Sequence, residues 1–113
     1  LFAPIKWLIG VPWSEAQLAG QLMGTKAILN EYVAYLEVAD LGDDVLTGRA
    51  RLITIYALCG FANLASIGLL VSTISTLAPE RKAEVASLGV KSWIAGNGAS
   101  LMTGAVAGLV LYV

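Results

Sequence analysis

The chain has 113 residues, 58% of them apolar and only 13% charged, with a formal charge of −1 and a mean hydropathy of +0.77. That composition lies outside the soluble norm and calls for lipid or a membrane-protein neighbour; no run of charge is long enough for a nucleic-acid footprint or a polybasic anchor, so nucleic acid is not expected as a partner. The sequence lacks histidine and has one cysteine, Cys59, in an apolar stretch, which removes internal disulfides, the usual zinc and general-base chemistry and any expected covalent cofactor.

The chain opens on Leu1, already apolar, with no basic segment or cleavage site resembling a signal peptide. It is read as lacking its N-terminal part. Residues 1–13 (LFAPIKWLIGVPW) carry Pro4, Pro12, Trp7 and Trp13 around one lysine. They are too short to cross about 30 Å of hydrocarbon and suit an interfacial helix; its indoles are read as lying at the headgroup boundary, two ordinary packed tryptophans being the other reading. Ser14 offers a capping hydroxyl and Glu15 a first-turn carboxylate for a helix running to about Leu29. Between Glu15 and Glu37 the charge density is too high for a lipid-facing span and too low for a soluble helix, so residues 14–39 are expected as two short helices meeting inside protein.

The tract from Asp40 to Arg51 (DLGDDVLTGRAR) has the composition of a solvated connection. The next segment, 49–79, is free of charge from Leu52 to Pro79, yet its centre reads Cys59-Gly60-Phe61-Ala62-Asn63. Glycine and asparagine weaken a helix there, and a break at membrane depth survives only where it lines a cavity. Residues 81–113 form the last expected span; Gly104 and Gly108 make a GxxxG step, with Gly96 and Gly98 earlier, that permits close approach of another transport-protein helix. The fold class is therefore all-α integral membrane.

Two places break the rules for lipid-embedded helices: Asn30-Glu31, and Gly60 to Ser66. A carboxylate at Glu31, within AILNEYVAYL, is costly to bury unless hydroxyls, a cation or water satisfy it; pairing with Lys26 is the structural alternative. Phe61, Asn63 and Ser66 offer a flat apolar face, an amide that donates and accepts, and a hydroxyl, a set that suits a planar base joined to a polyhydroxylated sugar. Ordinary packing of Phe61 and back-bonding of Ser66 to a helical carbonyl are the competing readings.

Gly24-Thr25-Lys26, Asn30-Glu31-Tyr32-Val33-Ala34-Tyr35, Ala57-Leu58-Cys59-Gly60-Phe61-Ala62-Asn63 and Leu77-Ala78-Pro79-Glu80-Arg81 resemble the C-terminal region of concentrative nucleoside transporters, in order and spacing along almost the whole chain. The resemblance implies an interfacial helix, a re-entrant helical hairpin, a broken transmembrane helix and a terminal transmembrane helix, in a homotrimeric nucleoside:cation symporter of the plasma membrane, a bacterial inner membrane being expected. It implies further that Glu31 at the hairpin tip, with Asn63 and Ser66 at the broken helix, contacts the ribose hydroxyls, that Phe61 lines the nucleobase, and that Asn30 belongs to the same substrate site. The coupling ion would be Na+ or H+, its site mostly upstream of Leu1. Ala65 stands where a second small polar residue can occur, and the connection from Val38 to Arg49 is shorter than in some relatives. Two rival functions are a non-transporting membrane scaffold that merely packs through its GxxxG helix, and an intramembrane enzyme using Glu31 as base.

Overall fold

A computed structural model describes residues 1–111. Six α-helices follow in chain order: α1 (Ala3–Leu8), α2 (Trp13–Ile28), α3 (Glu31–Asp40), α4 (Gly48–Leu58), α5 (Leu64–Leu77) and α6 (Lys82–Val110), with a 3-10 turn at Pro79–Arg81 before the last. No strand occurs among the described residues. The terminal span expected over 81–113 ends at Val110, and Tyr112 and Val113 lie outside the described residues.

Pro4 sits in the first turn of α1, where its missing N–H costs nothing, and Gly10 ends the segment at φ 108°, a conformation that only glycine adopts cheaply. The helix lies directly on α2: a Cβ on Gly20 would come within 2.8 Å of the Ala3 nitrogen. Lys6 is enclosed by this crossing, and burial, with the charge of Lys26 second, brings its ammonium down to about 7. Trp7 and Trp13 are exposed and meet edge to face at 6.2 Å.

The expected cap at Ser14 is not formed. Helix α2 begins one residue earlier, at Trp13, behind an extended Pro12, and has no side-chain cap. Ser14 is thereby already inside the first turn and points to solvent. Glu15 works at a distance instead, accepting from the Thr47 N–H at 2.8 Å and its hydroxyl at 3.2 Å, while the Thr47 hydroxyl caps α4 at the Ala50 N–H. The start of α4 is thus tied to the start of α2.

Helices α2 and α3 fold back on each other across Leu29 and Asn30, and Thr25 donates to the Glu37 carboxylate at 3.2 and 3.3 Å. The core between them and α4 is built largely of alanines, Ala16, Ala19, Ala34 and Ala50, with Met23 and Ile53 among the larger side chains, all fully buried. Where the surroundings are as apolar as leucine, such helices hold together through close packing and hydrogen bonds rather than through expulsion of water.

The GxxxG step finds its partner inside the chain. A Cβ on Gly104 would stand 2.8 Å from both the Ala57 side chain and the Ile53 carbonyl, and one on Gly108 would be 2.7 Å from the Ile53 side chain. The seam is therefore α4 against α6, so the helix that the glycine step was expected to approach is α4 of this same chain; the step reports close approach without reporting what approaches. The buried stripe of α6 runs Gly89, Asn97, Ser100, Gly104, Ala107 and Gly108, while Leu88, Ile94, Met102, Val106 and Leu109 are exposed. Pro79–Val110 is long and apolar enough to cross a membrane, and Leu64–Leu77 is a shorter apolar helix. Three threonine hydroxyls on these helices are satisfied within their own turns: Thr73, Thr76 and Thr103 each donate to the carbonyl four residues back, at 2.9 to 3.0 Å, whereas the buried Ser75 hydroxyl has no partner among the described residues.

Candidate functional site: two interrupted helices

Helix breaks leave backbone groups without partners, and in both breaks of this chain the helix that follows is started by the same device. Asn30 (φ −172°, ψ 170°) and Asn63 (φ −134°, ψ 159°) are extended residues whose side-chain oxygens accept from the N–H three residues on, Val33 at 2.9 Å and Ser66 at 2.7 Å. Each is an N-cap of the preferred type. Helix α3 starts at Glu31, whose carboxylate sits where the helix dipole favours negative charge, and Lys26 occupies the last turn of α2, where it favours positive charge.

The opposite ends of the breaks are closed by side chains from elsewhere. Trp93 Nε1 donates to the Ala27 carbonyl at the end of α2 at 2.9 Å, and the Tyr35 hydroxyl donates to the Ile55 carbonyl in the last turn of α4 at 3.0 Å. Residues 59–63 between α4 and α5 are non-helical, and there the Asn97 amide donates to the Ala62 carbonyl at 3.0 Å. Unwound backbone in an apolar setting survives only with such partners.

Asn30 and Glu31 form the bend of the α2–α3 pair; Phe61, Asn63 and Ser66 form the break and first turn beyond it. The two places adjoin, since a Cβ on Gly60 would lie 3.7 Å from Lys26 Nζ and Tyr35 of α3 bonds the Ile55 carbonyl of α4 at 3.0 Å. Phe61 is 79% exposed, so it is not a core packing residue of this chain. Asn63 is only 1% exposed; its Oδ1 caps α5 and its Nδ2 donates to the Phe61 carbonyl at 3.2 Å, which leaves the amide one lone pair and one hydrogen. Ser66 is half-buried, and its hydroxyl makes no back-bond among the described residues.

Glu31 is half-buried and its Oε2 is enclosed without a hydrogen-bond donor among the described residues. It does not pair with Lys26. The ion pairs among the described residues are Arg51–Asp43 and Arg81–Glu84, both at exposed connections, and the Lys26 ammonium turns instead to Asn97 Oδ1 at 2.9 Å and Ser100 Oγ at 3.4 Å. Lys26, Asn97 and Ser100 are buried polar groups around the break; the sequence offered Lys26 only as a partner for Glu31 and did not single out Asn97 or Ser100. Asn97 carried a usable signal: an amide within a long charge-free stretch is costly in lipid and faces protein. Its flanking glycines drew the eye to packing.

A family model described as Na+ dependent nucleoside transporter C-terminus matches residues 1–108. The chain belongs to this family. It is 43% identical over 111 residues to the uncharacterized transporter YutK of Bacillus subtilis and 42% identical over 113 residues to the putative nucleoside permease NupX of Escherichia coli, covering in each case 98% of this chain and 27% of the relative. Similarity extends to the rat sodium/nucleoside cotransporter 1, at 36% identity over 97% of this chain and 19% of that protein. Among solved structures, CNTnw in an inward-facing substrate-bound state superposes with a TM-score of 0.86 at 46% identity, covering 96% of this chain and 27% of that one. The chain thus spans about a quarter of the length of the relatives it matches. The all-helical fold agrees with these neighbours. A family of transport proteins leaves no place for the intramembrane-enzyme reading of Glu31.

Proposed function

We propose that the complete protein containing this chain takes up nucleosides by secondary active transport, driven by a cation gradient and working by alternating access. The observation that carries this reading is the enclosed Glu31 Oε2, an acceptor without a donor, beside a break presenting Asn63, Ser66 and the exposed ring of Phe61. Ribose hydroxyls are donors of the right kind for the carboxylate, and they can use the lone pair and the hydrogen left on Asn63. Phe61 offers its face to the base, and Asn30 sets the position of Glu31 by capping α3.

In this reading α1 lies at the interface, α2 and α3 form a re-entrant hairpin, α4 and α5 are the halves of a discontinuous transmembrane helix, and α6 crosses the bilayer. Freed helix ends then face substrate near the midplane, a recurrent transporter device. Membership of a Na+ dependent family supports Na+ as coupling ion, with H+ as the other choice and with ligands mostly upstream. The names of relatives, nucleoside permease NupC and sodium/nucleoside cotransporter 1, support the substrate class. Solved inward-facing, outward-facing and intermediate states of CNTnw support alternating access. A homotrimer in a plasma membrane, the inner membrane if the source is bacterial, completes the proposal.

The test is equilibrium binding of radiolabelled uridine to the detergent-purified complete protein, followed by uptake into proteoliposomes with and without a sodium gradient. Saturable binding is expected; its absence counts for the scaffold alternative. Phe61→Ala is expected to shift preference among bases while keeping ribose recognition, because the ring is exposed and supports no core packing of this chain. Competition by purine and pyrimidine nucleosides reads it, and an unchanged order of preference removes Phe61 from the base subsite.

A further inference from the structure

We propose that Lys26 and Asn97 are positioning residues that fix the unwound backbone of the substrate site, an inference that rests on the transport reading above. The amide of Asn97 has one orientation available to it. Lys26 can only donate, so Oδ1 must face its ammonium at 2.9 Å, and this turns Nδ2 toward the Ala62 carbonyl at 3.0 Å and the Trp93 carbonyl at 2.9 Å. Ala62 immediately precedes Asn63. The line Lys26–Asn97–Ala62 therefore runs from the hairpin, through the terminal helix, into the residue that holds the cap of α5.

Ser100 is a second, longer arm: it accepts from Lys26 at 3.4 Å and donates to the Gly96 carbonyl at 3.1 Å. The space is closed around the ammonium, since a Cβ on Gly60 would collide with the Ser100 hydroxyl and lie 3.7 Å from Lys26 Nζ. All three side chains are buried, with Lys26 fully so. A buried ammonium is retained only where its donors are taken up, and here the shorter bond orients the Asn97 amide and the longer one goes to the Ser100 hydroxyl. The link joins residues 71 apart in sequence, so α6 adds a long-range tie between hairpin and break to the direct one from Tyr35 to the Ile55 carbonyl.

Lys26→Met and Asn97→Asp in the purified complete transporter test this, read by deuterium uptake over residues 58–66 and by uridine binding. Both variants are expected to exchange at least about ten-fold faster over 58–66, with 68–77 unchanged, and to bind uridine about ten-fold more weakly, the loss that one or two hydrogen bonds imply. Lys26→Arg, which keeps a donating cation, stays within about three-fold of wild type, and the exposed Lys91→Met matches it. Asn97→Asp keeps an acceptor for Lys26 while removing the donor to Ala62, so it decides the matter even where Lys26→Met does not fold. Wild-type exchange over 58–66 in Asn97→Asp overturns the proposal, as does a Lys26→Arg protein no better than Lys26→Met. Should the wild-type protein bind no uridine, the transport reading fails while the exchange result still decides the anchoring role.

Discussion

Glu31→Ala in the complete transporter is expected to cut nucleoside accumulation by about a hundred-fold or more at equal surface expression. A hydrogen bond from a neutral donor to a charged group contributes about 1.5–3 kcal/mol, so two ribose hydroxyls on one carboxylate amount to about 3–6 kcal/mol, or more than two decades in affinity. The competing effect is smaller. Glu31 also sits in the first turn of α3, where its charge is worth about 0.3–1 kcal/mol, and the Asn30 cap that starts the helix survives the substitution. Loss of function from an unfolded hairpin is therefore not the expected route. Glu31→Gln should fall between the two, since it keeps an acceptor oxygen and loses the charge. Accumulation of radiolabelled uridine by cells expressing matched amounts of each protein is the measurement, and undiminished uptake by the alanine variant would refute the site. Asn63→Ala is a less discriminating probe, because the same amide caps α5, and losing a cap costs about 1 kcal/mol by itself.

The second large effect lies away from the site. Gly104→Val should lower the thermal midpoint of the purified protein clearly, while Gly98→Ala should hold it or raise it. A Cβ on Gly104 meets the Ile53 carbonyl and the Ala57 side chain at 2.8 Å, and backbone cannot yield as a flexible side chain can; Gly98 has nothing within 4 Å. Overpacking costs about 1–3 kcal/mol, whereas replacing an unconstrained helical glycine by alanine gains up to about 1 kcal/mol. Equal midpoints for the two variants would show that the α4–α6 seam is not the close contact described.

The two helix interruptions were legible in the sequence because their causes are local. Asn30 follows a run of helix formers and Gly60 and Asn63 stand in a charge-free stretch, so propensity and the cost of unpaired backbone point to the same residues. Glu31 stood out for a related reason, as a carboxylate among apolar neighbours. What escaped was non-local: that Gly104 and Gly108 meet α4, that Lys26 turns from Glu31 to Asn97, and that Glu15 reaches Thr47 rather than serving only its own helix. Periodicity reveals a face that wants a neighbour, but which neighbour depends on how the chain turns several times in between. The missed Ser14 cap is a smaller case, decided when Pro12 starts the helix one residue early.

The bond from the Trp93 indole to the Ala27 carbonyl bears on how relatives can exchange parts. A chimera with a crossover anywhere between those two positions takes its donor from one parent and its acceptor from the other, along with the surfaces that align them. Recombination between family members should then be tolerated upstream of α2 more readily than between the hairpin and the last helix, and the stretch from residue 15 to residue 108 is best moved as one inherited block.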